Sequence, residues 1–414
     1  MKRYIAAGLT ALMLTGFCVP AYAADAAETD KTETQKGPVT LSFETLEQTV
    51  RENNVSIKAG QSTLTGVEKT DPGDSYITNY WNTDNEIAQY TKQIKELDEA
   101  IAALPEGETA LRDTLKAQRY ALQQSLEAAQ ASYDDLEDKE DDDEEQHEFT
   151  VNSTRRQTEN AADLICMGAE STYISLQSLA FSHSERERSL KQLERNIEAT
   201  RVRVSLGAAG QNTLKSLQSQ RETVLAALDT IETQAENLKN TLAVQCGYAI
   251  GTEIITTALP EVAPEQAGGV DYAADLAEAL KNSYSIWSKE DAVRQASDDY
   301  ENNKTNNLYA YKAAQIELDA EKEKATVAFR KLYKALEEAR TMLGAAQSDW
   351  EQAQKTFHVQ ETQYKRGMIS KLDYLNAQDE LETAREAIDS AKIDLLTAYN
   401  NYQWAKRGVI SSAS

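Results

Sequence analysis

From Phe329 onward the apolar residues step along the chain by three and four. One seam runs Phe329, Leu336, Leu343, Trp350, Phe357, Tyr364, and a second runs Leu332, Ala339, Ala346, Ala353. Gly367 interrupts the pattern. It resumes as Tyr374, Leu381, Ile388, Leu395, Tyr402, interleaved with Ala377, Ala384, Ala391, Ala398. A seven-residue repeat keeps its seam against a partner only if the helices supercoil to the left. Large residues on one seam and alanine on the other let two antiparallel helices approach closely, and the short break makes them neighbours. The pattern predicts a long helical hairpin. A second hairpin lies upstream. Leu190, Leu193, Ile197 and Val204 lead to a break over 207–212, and Leu217, Val224, Ile231 and Leu238 follow it, joined by Leu228, Ala235 and Leu242. About 45 residues of helix span roughly 65 Å. Rods of that length do not bury their faces as single hairpins; they need each other, or copies of themselves.

Between the start of the chain and this hairpin the helical period recurs. Ile94, Leu97, Ile101 and Leu104 precede Pro105-Glu106-Gly107, and Leu111, Leu115, Leu122, Leu126, Ala129 and Tyr133 follow it. This predicts an inserted helical hairpin over 85–135. The run 134–148 (DDLEDKEDDDEEQHE) is so densely acidic that mutual repulsion predicts a solvated loop. Weak Ca²⁺ binding is the alternative, and no EF-hand spacing accompanies it.

The chain also repeats itself. Residues 46–53 (LEQTVREN) match 276–283 (LAEALKNS), and each is followed by a helix and then a long hairpin. Around the breaks, 214–220 (LKSLQSQ) parallels 372–378 (LDYLNAQ), with the first break two residues longer. Repeat one is read as 39–250, with its long hairpin at 150–250, and repeat two as 269–408. A linker at 251–268 carries Pro260, Pro264 and a β-like run from Ile254 to Ala258.

Composition agrees with an all-α chain. Only 6 Phe, 6 Pro and 17 Gly occur in 414 residues, and helix formers are abundant. Lys and Arg total 43 against 68 Asp and Glu, a net charge of −25, which argues against a nucleic-acid partner. Lys2 and Arg3, an apolar stretch from Tyr4 to Val19, Pro20 and Ala21-Tyr22-Ala23 read as a signal peptide over 1–23. A flexible segment over 24–38 follows, and 409–414 is a short tail. No later run is apolar and long enough for a membrane helix. Cys166 and Cys246 fall on opposite arms of the first hairpin, out of register for a disulfide, so two free, half-buried thiols are expected over a pair. His147, His183 and His358 lack metal-ligand spacing, and no hydrolase, P-loop or zinc motif occurs. No cofactor, metal site or enzymatic activity is expected.

The ordered set of features resembles the TolC family of outer-membrane efflux proteins. The opening Val39-Thr40-Leu41-Ser42-Phe43-Glu44 followed by 46–54 is similar to that family's first helix. The stretch 364–378 (YKRGMISKLDYLNAQ) is similar to the turn at the periplasmic tip of its coiled-coil hairpin. The resemblance covers about 39–60 and 150–408. It implies a homotrimer whose six repeats form a twelve-helix tube, with lower tips that meet a periplasmic adaptor (membrane fusion) protein and an inner-membrane pump. It also implies an outer-membrane β-barrel built from two strands inserted in each repeat. No convincing strand pair lies between Val67 and Val151, where 75–82 (SYITNYWN) is a single short run. In repeat two, 298–308 (DDYENNKTNNL) is polar and too short. The fold expected is therefore all-α, two tandem repeats of long antiparallel hairpins forming a TolC-like tube, with little or no barrel and doubtful membrane insertion.

By resemblance Asp373 is a pore-entrance candidate. Three copies would form an acidic ring favouring cations; the alternative is an ordinary helix-start acid. The second acidic position of the family corresponds to Asn376, with Lys215 near its counterpart in repeat one, so a second ring is not expected. Gly207, Gly210, Gly367, Met368, Ile369 and Ser370 are the candidates for hairpin-tip and adaptor contact. The function expected is an exported, passive efflux duct of the cell envelope, in the outer membrane or periplasm by resemblance. The rival is a non-conducting structural coiled-coil protein of the envelope. A periplasmic adaptor would also carry a helical hairpin, but it would need a flanking β-domain that is not seen.

Overall fold

A computed structural model describes residues 37–105, 108–302 and 307–410. The expected signal peptide, most of the segment 24–38, Glu106-Gly107, residues 303–306 and the last four residues lie outside the described residues. From Gly37 onward the chain forms one unit.

Strand β1 (Val39–Leu41) comes first and pairs in parallel with β2 (Ile254–Thr256), Val39 opposite Ile254 and Leu41 opposite Thr256. Both are short runs rich in β-branched residues. Val39–Leu41 is therefore a strand and not part of a helix; Ser42, in an extended conformation, separates it from helix α1 (Phe43–Asn53). Helix α2 (Val55–Glu68) follows after a kink at Asn54. The Asn54 side chain accepts from the Ser56 and Ile57 N–H groups, capping α2, and donates to the Gln245 carbonyl at 2.9 Å.

A 3₁₀ turn (Pro72–Ser75) leads into α3 (Ile77–Ala103), so the aromatic run at 75–82 is turn and helix. Helix α4 (Thr109–Ser205) has 97 residues, about 145 Å at 1.5 Å per residue. Its first part pairs with α3 and its last part with α5 (Gln211–Gln245). The inserted hairpin and the long hairpin thus share one helix. The acidic run 134–148 is an uninterrupted part of it, not a loop. Glu, Asp and Lys on an exposed helix point into water, where salt screens their repulsion. The backbone there is also held by the Lys139–Asp135 pair one turn apart at 2.6 Å, and the Tyr76 hydroxyl donates to Asp143 at 2.6 Å.

After β2, the stretch read as a linker contains a short helix α6 (Pro264–Gly268), whose Ala267 is buried. Then come α7 (Tyr272–Asn282), α8 (Tyr284–Asn302), α9 (Leu308–Lys365) and α10 (Lys371–Lys406). The pair α7–α8 repeats α1–α2, and α9–α10 repeats the lower α4 and α5. The kinks at Asn54 and Ser283 mark the correspondence, which places Asn53 on Asn282, one residue out of step with the sequence match.

Both repeats close their hairpins onto these kinks in one way. Gly247 ends α5 with φ +78°, and a Cβ on it would lie 2.3 Å from the Asn53 carbonyl oxygen. Gly408 ends α10 with φ +101°, and a Cβ would lie 2.5 Å from the Asn282 carbonyl. Only glycine permits both the left-handed turn and that approach.

Two cores form at this level. The first gathers Leu46, Val50, Cys166, Tyr173, Leu242 and Cys246, and it takes in Trp404 and Val409 from the far end of the chain. Val409, the first residue of the expected tail, is therefore a core residue. The Tyr173 hydroxyl lies 2.7 Å from the Thr257 carbonyl and 3.1 Å from that of Leu41, tying both strands to α4. Cys166 and Cys246 are unpaired and fully buried, not half-buried, and burial pushes both thiols up to about 12. The second core is built on the seam read from sequence: Phe329, Leu336, Leu343, Leu395 and Tyr402, with the Phe329 and Tyr402 rings 5.1 Å apart. Each such side chain contributes about 1.5–3 kcal/mol by leaving water.

Candidate functional site

The two hairpin tips are built alike. Leu206 caps the end of α4 and Arg366 the end of α9, and at both tips the chain then turns through a glycine, Gly207 at φ +70° and Gly367 at φ +73°. The following N–H groups reach back, Ala208 to the Arg203 carbonyl at 2.7 Å and Met368 to the Gln363 carbonyl at 2.8 Å. This six-to-one bond satisfies carbonyls the helix end leaves free. A Cβ on either glycine would meet nothing within 4 Å, so here the left-handed φ alone calls for glycine. Helices α5 and α10 start after Gly210 and Ser370. The breaks are therefore equal in length, and the first is not two residues longer. The turn geometry pairs Gly210 with Ser370 and Thr213 with Asp373; Lys215 is not Asp373's partner.

Asp373 is exposed and sits in a capping box. Its carboxylate accepts from the Ser370 N–H at 3.2 Å, and the Ser370 hydroxyl accepts from the Asp373 N–H at 3.1 Å. The geometry thus gives Asp373 the helix-start role directly. Gly210 supplies no such side chain, so the first tip lacks this capping box. At the second tip Tyr364 and Tyr374 stack at 4.6 Å, with Phe357 against Tyr374 at 5.8 Å. Met368 presents its side chain outward, 69% exposed, and Leu206 at the other tip is 76% exposed. Ile369 is half-buried.

The tips lie level because α4 packs on α10. Arg188 pairs with Glu386, and Arg195 with Asp379. Arg195 lies twelve residues before Gly207 and Asp379 twelve after Gly367, so both pairs are equally far from their turns. Higher on the same seam, Glu170 is buried and accepts from Trp404 Nε1 at 2.6 Å and Asn400 Nδ2 at 2.8 Å. Burial raises its pKa, an effect opposed by these two donors. Glu47 accepts from Arg407 at 2.9 Å and from Arg51 at 2.9 Å; burial works against its charge, but these guanidiniums hold its pKa below the ordinary value.

None of these seam residues was singled out by the sequence reading. The signal available was two arginines seven apart on one helix and two acids seven apart on another.

A cleft of about 480 Å³ lies between the repeats, lined by Arg155, Arg156, Glu159, Lys281 and Arg407 among others. Among the described residues no group of three or more His, Cys, Asp or Glu is placed to hold a metal ion. No helix there is long and apolar enough to cross a membrane. Where two inserted strands were implied in repeat one, α3 and the upper part of α4 stand instead. In repeat two α8 runs to Asn302 and α9 starts at Leu308, with 303–306 outside the described residues.

No protein-family model matches the chain, and no curated protein matches its sequence. Solved structures do match. The channel protein CusC, described through its folding and transmembrane channel formation, superposes with a TM-score of 0.54 over 89% of this chain and 96% of its own, at 13% identity. The outer-membrane channel OprN superposes with a TM-score of 0.53 over 88% of this chain and 90% of its own, at 10% identity. The fold is that of the TolC-family outer-membrane efflux channels, with a body that is almost entirely helical among the described residues apart from the short β1–β2 pair.

Proposed function

We propose that this chain is a subunit of a passive, non-enzymatic export duct in the cell envelope, assembled as a homotrimer in which six hairpins form a tube. The observation that carries the reading is the pair of level, equal-length hairpin turns held side by side by the α4–α10 ion pairs. Two staves of matched length and common end are what a tube wall needs, and the likeness to CusC and OprN supports the same use. In this reading the signal peptide is removed after Ala23. The tips, through Gly207, Gly210, Gly367, Met368, Ile369 and Ser370, meet a periplasmic adaptor coupled to an inner-membrane pump. Exposed Met368 and Leu206 supply apolar contact there. Asp373 from three copies narrows the entrance with negative charge, a role that competes with its hold on Ser370.

A second reading is a non-conducting envelope scaffold. The helical hairpin standing where strands would be inserted favours it. Export separates the two. Cells lacking the protein should export less of a small tracer than the parent strain, the loss should be restored by the parent chain, and Asp373→Ala should change the preference between cationic and anionic tracers. A trimer whose loss leaves export unchanged would move the assignment to the scaffold.

A further inference from the structure

We propose that the cleft between the repeats binds a phosphate ester of a small polyol, and that Arg156 and Lys281 supply the charge that selects it. This goes beyond the duct reading, which uses the hairpin tips and not this level of the fold.

The cleft holds about 480 Å³, within the ordinary range of small-molecule sites. Helix α4 forms one wall through Arg155, Arg156 and Glu159. Lys281 in the last turn of α7, with Arg407 and Gly408 after α10, forms the other. The cleft thus lies where the end of α10 closes on the second kink.

The cations here are of two kinds. Arg155 pairs with Glu68 at 2.9 Å and Arg407 with Glu47 at 2.9 Å, so each wall has one guanidinium pinned by a carboxylate. Asp163, also at the cleft, is taken by Arg51. Arg156 and Lys281 differ. Both are exposed, and among the described residues neither has a carboxylate partner, although the net charge of the chain is −25. The Arg156 guanidinium lies over the Trp287 ring of α8, 4.9 Å from its centre, and Tyr284 stands beside that ring at 5.8 Å. This contact holds Arg156 in place and uses none of its N–H donors. A guanidinium fork and a lysine point charge, brought to one cleft from two repeats, suit a phosphate. The Asn152 carbonyl oxygen accepts from Arg155 at 3.1 Å, which leaves its amide donors for a ligand. Glu159 has no cation partner among the described residues. It opposes a bare anion and accepts from hydroxyl groups, which favours a polyol ester over inorganic phosphate.

The internal repeat shows that the fold does not need these charges. Gly207 on Gly367 sets α4 against α9 with a shift of 160 residues, which puts Gln315 and Ile316 at the positions of Arg155 and Arg156. The kinks put Glu52 at the position of Lys281, and the closing glycines put Cys246 at that of Arg407. Each cation of the cleft is thus neutral or acidic in its counterpart, while the same turns and kinks form around it.

The test is calorimetric titration of the full mature chain with glycerol 3-phosphate at fixed ionic strength, with inorganic phosphate as the second probe. One site per chain is expected for the ester, with inorganic phosphate weaker. Lys281→Glu and Arg156→Ile, the residues that stand in the other repeat, should each weaken binding roughly ten-fold or more with the far-UV spectrum unchanged. Lys355→Glu makes the same change of charge at an exposed position of α9 away from the cleft and should bind as the parent does. Thermal unfolding at one protein concentration gives a second reading: the ester should raise the midpoint of the parent and of Lys355→Glu, and not that of Lys281→Glu. A soluble polyol phosphate and a lipid head group share this chemistry. Tighter binding of monomeric short-chain phosphatidylglycerol phosphate than of glycerol 3-phosphate would support the site and assign its ligand to a lipid. No saturable binding by either reading, or equal loss in Lys281→Glu and Lys355→Glu, would overturn the site. Inorganic phosphate binding as tightly as the ester would overturn the choice of a polyol ester.

Discussion

Among the described residues, Gly207, Gly247, Gly367 and Gly408 adopt a left-handed φ at helix ends, yet the structure gives them different burdens. Gly207 and Gly367 sit at the tips with open space where a Cβ would go, whereas Gly247 and Gly408 sit against the backbone of Asn53 and of Asn282–Ser283. Replacing a tip glycine by alanine adds only the cost of a left-handed φ, about 1–2 kcal/mol. At Gly408 the new methyl would also lie 2.5 Å from a backbone carbonyl and 2.8 Å from the Ser283 nitrogen. Backbone cannot rotate away as a side chain can, so an overpacking cost of about 1–3 kcal/mol adds to the first. Gly408→Ala should therefore cost about 2–5 kcal/mol, and Gly247→Ala a similar amount. Urea unfolding followed by far-UV circular dichroism, at one protein concentration for all four variants, measures the difference. The two kink-facing variants should unfold at clearly lower urea than the two tip variants, with similar slopes. Equal midpoints for all four, or a larger loss at the tips, would refute the claim that the hairpin bases are anchored on the kinks.

Glu170 has a folded pKa raised by burial, so its contribution favours the folded state fully below the unfolded pKa and is lost as pH rises through the folded value. Glu170→Gln keeps an acceptor for Trp404 and Asn400; it should stabilise the protein near neutral pH, with the gain over the parent vanishing in acid. A gain that does not depend on pH would show that charge burial is not its source. Arg195 and Asp379 are 33% and 16% exposed, so solvent screens the pair only in part. A double-mutant cycle with Arg195→Ala and Asp379→Ala should give a coupling of about 1 kcal/mol, and additive losses would place the pair outside the seam. Cys166 and Cys246, with thiols pushed up to about 12, should react with a disulfide reagent at mildly alkaline pH only as fast as the protein unfolds. Prompt labelling of the folded protein would contradict their burial. Ser370→Ala removes half of a capping box and should cost about 1 kcal/mol, whereas Gly210→Ser should cost nothing measurable.

The long-range plan was legible because helix seams are periodic. The Phe329–Leu336–Leu343 row, the alanines facing it and the turn at Gly367 all follow from local pattern, and each is where the periodicity put it. The β-like run from Ile254 to Ala258 does hold strand β2; reasoning from charge at 134–148 and the reading of Val39–Leu41 with the first helix did not hold. The acidic run at 134–148 repels itself, but on an exposed helix that repulsion is spent in water, while Leu136 and Phe149 continue the seam half-buried. Val39–Leu41 became a strand only because Ile254–Thr256, some two hundred residues away, pairs with it. The break lengths were misjudged because the LKSLQSQ and LDYLNAQ strings suggested an alignment two residues off; the glycine turn geometry, not side-chain similarity, fixes the correspondence. At the candidate site the tip glycines could be read from sequence, since a left-handed turn selects glycine. The seam pairs Arg188–Glu386 and Arg195–Asp379 could not, because neither helix alone says which of its faces meets the other repeat.

If matched hairpins are the staves of a closed tube, the solution mass of the purified mature protein from light scattering, with negative-stain imaging of the same peak, will show it. A species of three protomer masses seen as a hollow rod is the predicted result. A monomer, or a two-chain rod without a lumen, would contradict it.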